Sequence, residues 1–157
     1  MRIGISRSMN ALFAFGACAL MTFANSAGAA RPEKPNFVII LADDMGYGDS
    51  SAYGGWIKTP NLERLAEQGL RFTDFHASGN VCSPTRAGFM TGRYQQRAGV
   101  AAVLKADDAS ETYAGGLKTT EIVFPKLLRQ AGYTSALIGK WHLGYSTEYN
   151  PIHHGFD

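Results

Sequence analysis

Cysteine is nearly missing from this sequence. Only Cys18 and Cys82 occur in 157 residues, which excludes a disulfide-stapled scaffold. Charge is sparse and almost balanced: charged residues make up 18% and the formal net charge is +2. A charge that small gives no reason to expect a nucleic-acid partner. With 45% hydrophobic residues, the chain is no disordered polyelectrolyte. Its length suits one domain with a proper core, and excludes two large domains or a repeat array. No internal repeat or low-complexity tract is present. Glycine is abundant instead, at 18 residues, above the roughly 7% of average proteins. Without a Gly-X-Y period, the excess reads as many tight turns.

The first thirty residues stand apart. Arg2 and Arg7 form a short basic start. An uncharged, mostly apolar run follows over 11–24, then Ser26-Ala27-Gly28-Ala29-Ala30, with small residues at Ala27 and Ala29. This is the basic, apolar and small-residue order of a secretory signal. The apolar run is shorter than the about 20 residues a membrane span needs. We therefore expect a signal peptide at 1–29, export to a periplasmic or extracellular space, and no stable membrane anchor. Arg2 and Arg7 are the only charged residues in that segment, so 30–157 balances at 13 basic and 13 acidic residues. It keeps a single cysteine, Cys82, in an oxidising compartment with no partner in the chain.

Residues 37–42 (Phe-Val-Ile-Ile-Leu-Ala) are continuously apolar, as in a strand buried on both faces of a parallel sheet. Thr59 and Pro60 open a helix that Gly69 ends, with Leu62, Leu65 and Ala66 as its apolar stripe. Residues 70–75 alternate and predict a second strand. Ser83-Pro84 opens a second helix, with serine as cap, and Gly92 closes it. A third helical pattern covers 121–130, and Pro125 pushes its start to about Val123. Gly132 ends it, and 133–138 predicts a third strand. Residues 101–116 are small, polar and glycine-rich and read as a surface excursion. Strands alternating with helices across short joins predict an α/β fold with a largely parallel sheet flanked by helices. Sites in such sheets form outside the carboxyl ends of the strands. Asp43-Asp44, Cys82 and the Lys140–His142 segment all fall there.

Each of these groups has more than one reading. Adjacent carboxylates at Asp43 and Asp44 repel unless a cation neutralises them, and hard oxygens select Ca²⁺ or Mg²⁺; they also suit a solvated acidic turn. Two carboxylates fall short of the 6–8 oxygens that calcium takes. Cys82 at a helix start, with Arg86 one turn along, makes an anion-binding corner. A buried structural thiol fits equally. So does a thiol nucleophile with His142 as base, although no thiol-protease signature is present. Lys140 and His142 offer a cation and a proton-transfer group, or a surface lysine and a packed histidine. His76 reads as structural or surface, and His153 receives no role.

Five segments, in order, carry a family resemblance. Cys82-x-Pro84-x-Arg86 within "CSPTRAGFMTGRY" resembles the modification signature of the type I sulfatases, formylglycine-dependent members of the alkaline phosphatase-like superfamily. "NFVIILADDMGYGD" resembles their first strand and metal-binding pair. "KTPNLERLAEQGLRFTDFHA" resembles the helix and strand that follow. "ALIGKWHLG" resembles their second signature, and "HHGFD" a segment beyond it. The resemblance spans nearly all of 30–157.

It implies a sulfuric ester hydrolase of arylsulfatase type with the alkaline phosphatase-like sulfatase fold. Cys82 would be oxidised by a formylglycine-generating or equivalent maturation enzyme, so the lone thiol needs no disulfide partner. The hydrated aldehyde has two hydroxyls: one attacks the sulfate ester's sulfur and releases the alcohol, and the other expels sulfate and restores the aldehyde. The resemblance assigns Asp43, Asp44 and the modified Cys82 to a divalent cation, Ca²⁺ or Mg²⁺. It assigns Arg86 to the nucleophile's charge, Lys140 to sulfate and nucleophile, and His142 to the proton of the second hydroxyl. Catalysis thus falls to Cys82, Arg86, Lys140 and His142, and substrate binding to Lys140 and His142. The expected substrate is a sulfated small molecule or carbohydrate. Family members complete this site with downstream residues, so 30–157 is expected to be the N-terminal portion of the catalytic domain and inactive by itself. The alternatives are a phosphate or phosphonate ester hydrolase of the same superfamily, and a fragment or pseudo-enzyme that only folds and binds.

Overall fold

The computed structural model describes residues 33–111 and 113–157. The expected signal peptide lies outside them. The chain divides into two units, Met1–Ile40 and Leu41–Asp157. Of the first, 33–40 is described. All of it is exposed and none of it lies in a β-ladder; Val38, for example, is 85% exposed.

The second unit is built on three helices: α1 (Pro60–Gln68), α2 (Cys82–Thr91) and α3 (Phe124–Gln130). Helices α1 and α3 begin where the proline punctuation places them, and α2 ends at its expected glycine. Pro60 and Pro125 sit in first turns, where a missing N–H costs nothing. Gly92 closes α2 at φ +63, its N–H bonded to Gly88 O at 2.9 Å. Short 3-10 turns occupy Tyr47–Asp49, Ser51–Tyr53, Thr147–Tyr149 and Pro151–His154.

Several expectations need correction. The strands at 37–42, 70–75 and 133–138 do not form. Among the described residues the β-pairing is two isolated bridges, Ser50 with Ile57 and Gly116 with Gly144. A strand exists only through a ladder, and these segments keep their apolar side chains in the open: Phe72 and Phe75 are exposed and Ile138 is 98% exposed. The layered α/β sheet is therefore not assembled here. Helix α1 has its expected bounds but buries no residue, so its apolar stripe faces no core. Thr59 does not cap it by side chain; its hydroxyl instead joins Ser50 Oγ at 2.8 Å and accepts from Ser51 N at 3.1 Å. Nor does Ser83 cap α2. The helix begins two residues earlier, with Val81 as N-cap, because the Ser83 hydroxyl serves a distant loop.

The core lies in the second unit, where α2 contributes Ala87 and Met90. Val100, Leu104, Leu117, Val123, Leu143 and Phe156 close around it. The 101–116 segment is thus no mere surface excursion, since Leu104 is buried. Trp141 packs against this core and donates Nε1–H to Tyr149 O at 2.7 Å. His154 is fully buried, with Nε2 2.9 Å from Leu117 O and Nδ1 3.1 Å from Asn150 O. Leu117 N in turn donates to Leu143 O at 2.9 Å. These bonds tie the 140–144 loop to the core. No described helix is long and apolar enough to cross a membrane.

Candidate active site

Helix α2 presents two faces. Ser83, Pro84, Ala87, Gly88 and Met90 go inward, while Cys82 and Arg86, one turn apart, are half-buried on the other side. The approach to the helix is pinned at Gly79. Thr85 Oγ1 donates to Gly79 O at 2.8 Å, and a Cβ on Gly79 would stand 2.8 Å from Pro84 Cβ. Only glycine lets the loop pass that close. The position of Cys82 is thereby fixed from both sides.

Asp43, Cys82, Arg86 and Lys140 meet. Lys140 Nζ donates to Asp43 Oδ2 at 2.6 Å and to Cys82 Sγ at 3.3 Å. Arg86 Nη1 donates to Lys140 O at 2.7 Å, and its Nη2 lies 3.7 Å from Asp43 Oδ1. Asp43 and Lys140 are 97 positions apart in sequence, so only the fold brings them together. The Lys140 hydrogen bond is the main reason the Asp43 carboxyl lies below its ordinary value of 3.8; desolvation opposes it, and Cys82, the Lys140 charge and Arg86 add to it. Reciprocally, Asp43 and then Cys82 raise the Lys140 ammonium above 10.5, against desolvation. Both side chains are about 40% exposed, so the pair contributes little to stability. Its value is positional. Arg86 and Lys140 bring two positive charges to one carboxylate, leaving an excess of positive charge beside Cys82 that attracts an anion.

Asp44 and His142 depart from this cluster. Both hold positive φ, +62 and +60, a conformation that costs about 1–3 kcal/mol for a non-glycine residue and gathers at functional sites. Among the described residues, neither is joined to the cluster by a hydrogen bond or ion pair. The His142 ring turns instead to the 101–116 segment, its Nε2 2.7 Å from Leu104 O. A carbonyl only accepts, so Nε2 carries the hydrogen. In the neutral ring Nδ1 is then a bare lone pair, and it is buried with no partner among the described residues. Sequence reasoning missed Leu104. A lone leucine in a polar stretch carries no periodic signal, and its contribution is its backbone. His76 lies on the surface, 2.5 Å from Asp74.

The donors suit a hard divalent cation in kind but not in number. Asp43 and Asp44 offer carboxylate oxygens, while an unmodified Cys82 offers only soft sulfur. Among the described residues no three His, Cys, Asp or Glu side chains group as a metal site. The Lys140 ammonium already stands on Asp43.

A cysteine at a helix start, flanked by two basic side chains and a carboxylate, defines a class of site that handles anions beside a nucleophile. Comparison with known proteins supplies the family. The Sulfatase family model matches residues 35–157. Human arylsulfatase G is 48% identical over 131 residues, 83% of this chain and 24% of that protein. Human steryl-sulfatase is 44% identical over 146 residues, 88% of this chain and 25% of that protein. The crystal structure of Ps i-CgsB matches with a TM-score of 0.73 at 36% identity, covering 80% of this chain and 27% of that one. Its complex with k-i-k-neocarrahexaose matches at a TM-score of 0.68. The chain belongs to the sulfatase family. It spans about a quarter of the length of the curated relatives it matches.

Proposed function

We propose that the protein to which this chain belongs hydrolyses sulfate monoesters, with Cys82 as the source of the nucleophile. The observation that carries this reading is the Lys140 ammonium bridging Asp43 and Cys82, with Arg86 bonded to the Lys140 backbone. Oxidised to formylglycine by a maturation enzyme, Cys82 would supply an aldehyde hydrate as the attacking oxygen. The chain's own residues do the rest. Lys140 and Arg86 hold negative charge at the reacting centre, and their fixed positions spare the site reorganisation during the reaction. The buried Nδ1 of His142 is the nitrogen able to take a proton. Asp43 and Asp44 would contribute carboxylates to a Ca²⁺ or Mg²⁺ ion, which would neutralise charge on the sulfate oxygens.

The alkaline phosphatase-like sulfatase fold is proposed for the whole protein, supported by the match to Ps i-CgsB; within this chain 37–42, 70–75 and 133–138 are not strands. A sulfated carbohydrate is the proposed substrate class, supported by the neocarrahexaose bound to that structure. Export is proposed from the basic, apolar and small-residue order of 1–30.

Mass spectrometry of the Cys82 peptide, from protein exported by a host with the maturation enzyme, tests the reading. The aldehyde is expected. An intact thiol in such a preparation overturns the mechanism. Turnover of aryl phosphates but not aryl sulfates would transfer the site to phosphate ester chemistry.

A further inference from the structure

We infer that Ser83 is a positioning residue for His142, acting through the backbone of Leu104. Ser83 neighbours Cys82 in sequence but points the opposite way. Its side chain is fully buried, and its hydroxyl accepts the Leu104 N–H at 3.1 Å. The carbonyl of the same residue accepts the His142 Nε2–H at 2.7 Å. One residue, Leu104, itself buried, thus links helix α2 to the histidine over a sequence separation of 38 positions on one side and 21 on the other.

The consequence is chemical. As long as Leu104 O holds Nε2–H, the ring is fixed in one tautomer and Nδ1 stays a bare, buried acceptor. Without the Ser83 oxygen, Leu104 N–H becomes a buried donor with no partner, which costs about 1–3 kcal/mol. The 103–105 backbone then moves to recover a partner, and its carbonyl leaves Nε2. Ser83 would thereby couple the helix bearing the nucleophile to the proton acceptor. Its importance for turnover rests on the sulfatase reading above; the hydrogen-bond relay does not.

Proton-exchange NMR on the full chain tests this. In the wild type the His142 Nε2 proton should be protected. Ser83→Ala should speed its exchange by about tenfold, the weight of one buried hydrogen bond, and Ser83→Thr, which keeps the hydroxyl, should restore protection. Thr91→Val is the control. It removes the Thr91 Oγ1 to Ala87 O bond inside α2 and should lower stability while leaving the His142 proton as in the wild type. Protection unchanged in Ser83→Ala, or lost equally in Thr91→Val, overturns the relay. If Ser83→Ala does not fold, the wild type decides: the Leu104 amide and the His142 Nε2 proton should open together and show matching protection. Protections differing by more than about tenfold would show separate openings and refute it. No arm needs turnover, so failure of the sulfatase assignment is a separate result.

Discussion

Lys140 is the residue on which the cluster closes, since its ammonium touches both Asp43 and Cys82. Replacing it with methionine keeps the stem and removes the charge. If it stabilises negative oxygen in the transition state, Lys140→Met in the whole protein should lower kcat by about 10²–10³, the loss seen when one such donor is removed. Steady-state kinetics with an aryl sulfate would measure it. A fall in KM affinity alone, with kcat intact, would confine Lys140 to ground-state binding. The sequence placed Lys140 and Arg86 near Cys82 through spacing and strand-end logic. It could not show that Arg86 reaches Lys140 by its backbone carbonyl, because a main-chain acceptor leaves no trace in residue type. His142 was legible as a candidate proton-transfer group, but its tautomer was not, since Leu104 sets it from 38 positions away.

Among elements, the 140–144 loop depends on close packing at two glycines. Gly116 and Gly144 form an isolated antiparallel bridge, and the Tyr149 ring lies against both. A Cβ on either would come within 2.3 Å of Tyr149 carbons. Gly116→Ala and Gly144→Ala should each destabilise by about 1–3 kcal/mol through overpacking. They differ in cause. Gly144 also holds φ +132, a conformation costly for any side chain. Shrinking Tyr149 to alanine should relieve most of the penalty of Gly116→Ala, which meets ring carbons, but only part of that of Gly144→Ala, whose Cβ would still stand 2.3 Å from the retained Tyr149 Cβ on top of the positive φ. Urea denaturation of the two double-mutant cycles would read the difference, and equal relief would refute it. The helices were well read at this scale, because proline and glycine act locally on the backbone. Serine was misread as the α2 cap for a reason of the same kind: capping chemistry is local, but the Ser83 hydroxyl is held by a loop 21 positions on.

At the scale of the molecule, stability should fall in alkali. Burial, followed by a hydrogen bond with Glu148 and the Glu148 charge, raises Tyr149 above its ordinary 10.0. A raised value means that the folded state keeps a proton which the unfolded chain releases. The contribution is therefore complete below pH 10 and is lost as pH rises through the folded-state value above it. Tyr149→Phe has no proton to lose, so its urea midpoint should decline less between about pH 9 and 11 than that of the wild type. Equal declines would assign the alkaline loss to other groups. The exposed apolar segments at 70–75 and 138 belong to this scale too. Their apolar pattern predicted strands that do not form, because a strand's hydrogen bonds and burial come from its neighbours. Without a ladder among the described residues, pattern alone did not make a sheet.

Sequence by itself determined whatever depends on neighbours along the chain. That includes the existence of the three helices, the one-turn spacing of Cys82 and Arg86, the paired carboxylates and the family. Tertiary structure decided which distant groups share a proton or a charge. It put the Lys140 ammonium on Asp43 and Cys82, hung His142 on the Leu104 carbonyl, and buried Ser83 beneath it. The physical reason is range. Backbone preferences act within a turn or two, whereas hydrogen bonds and ion pairs form between whatever groups packing brings within about 3 Å of each other.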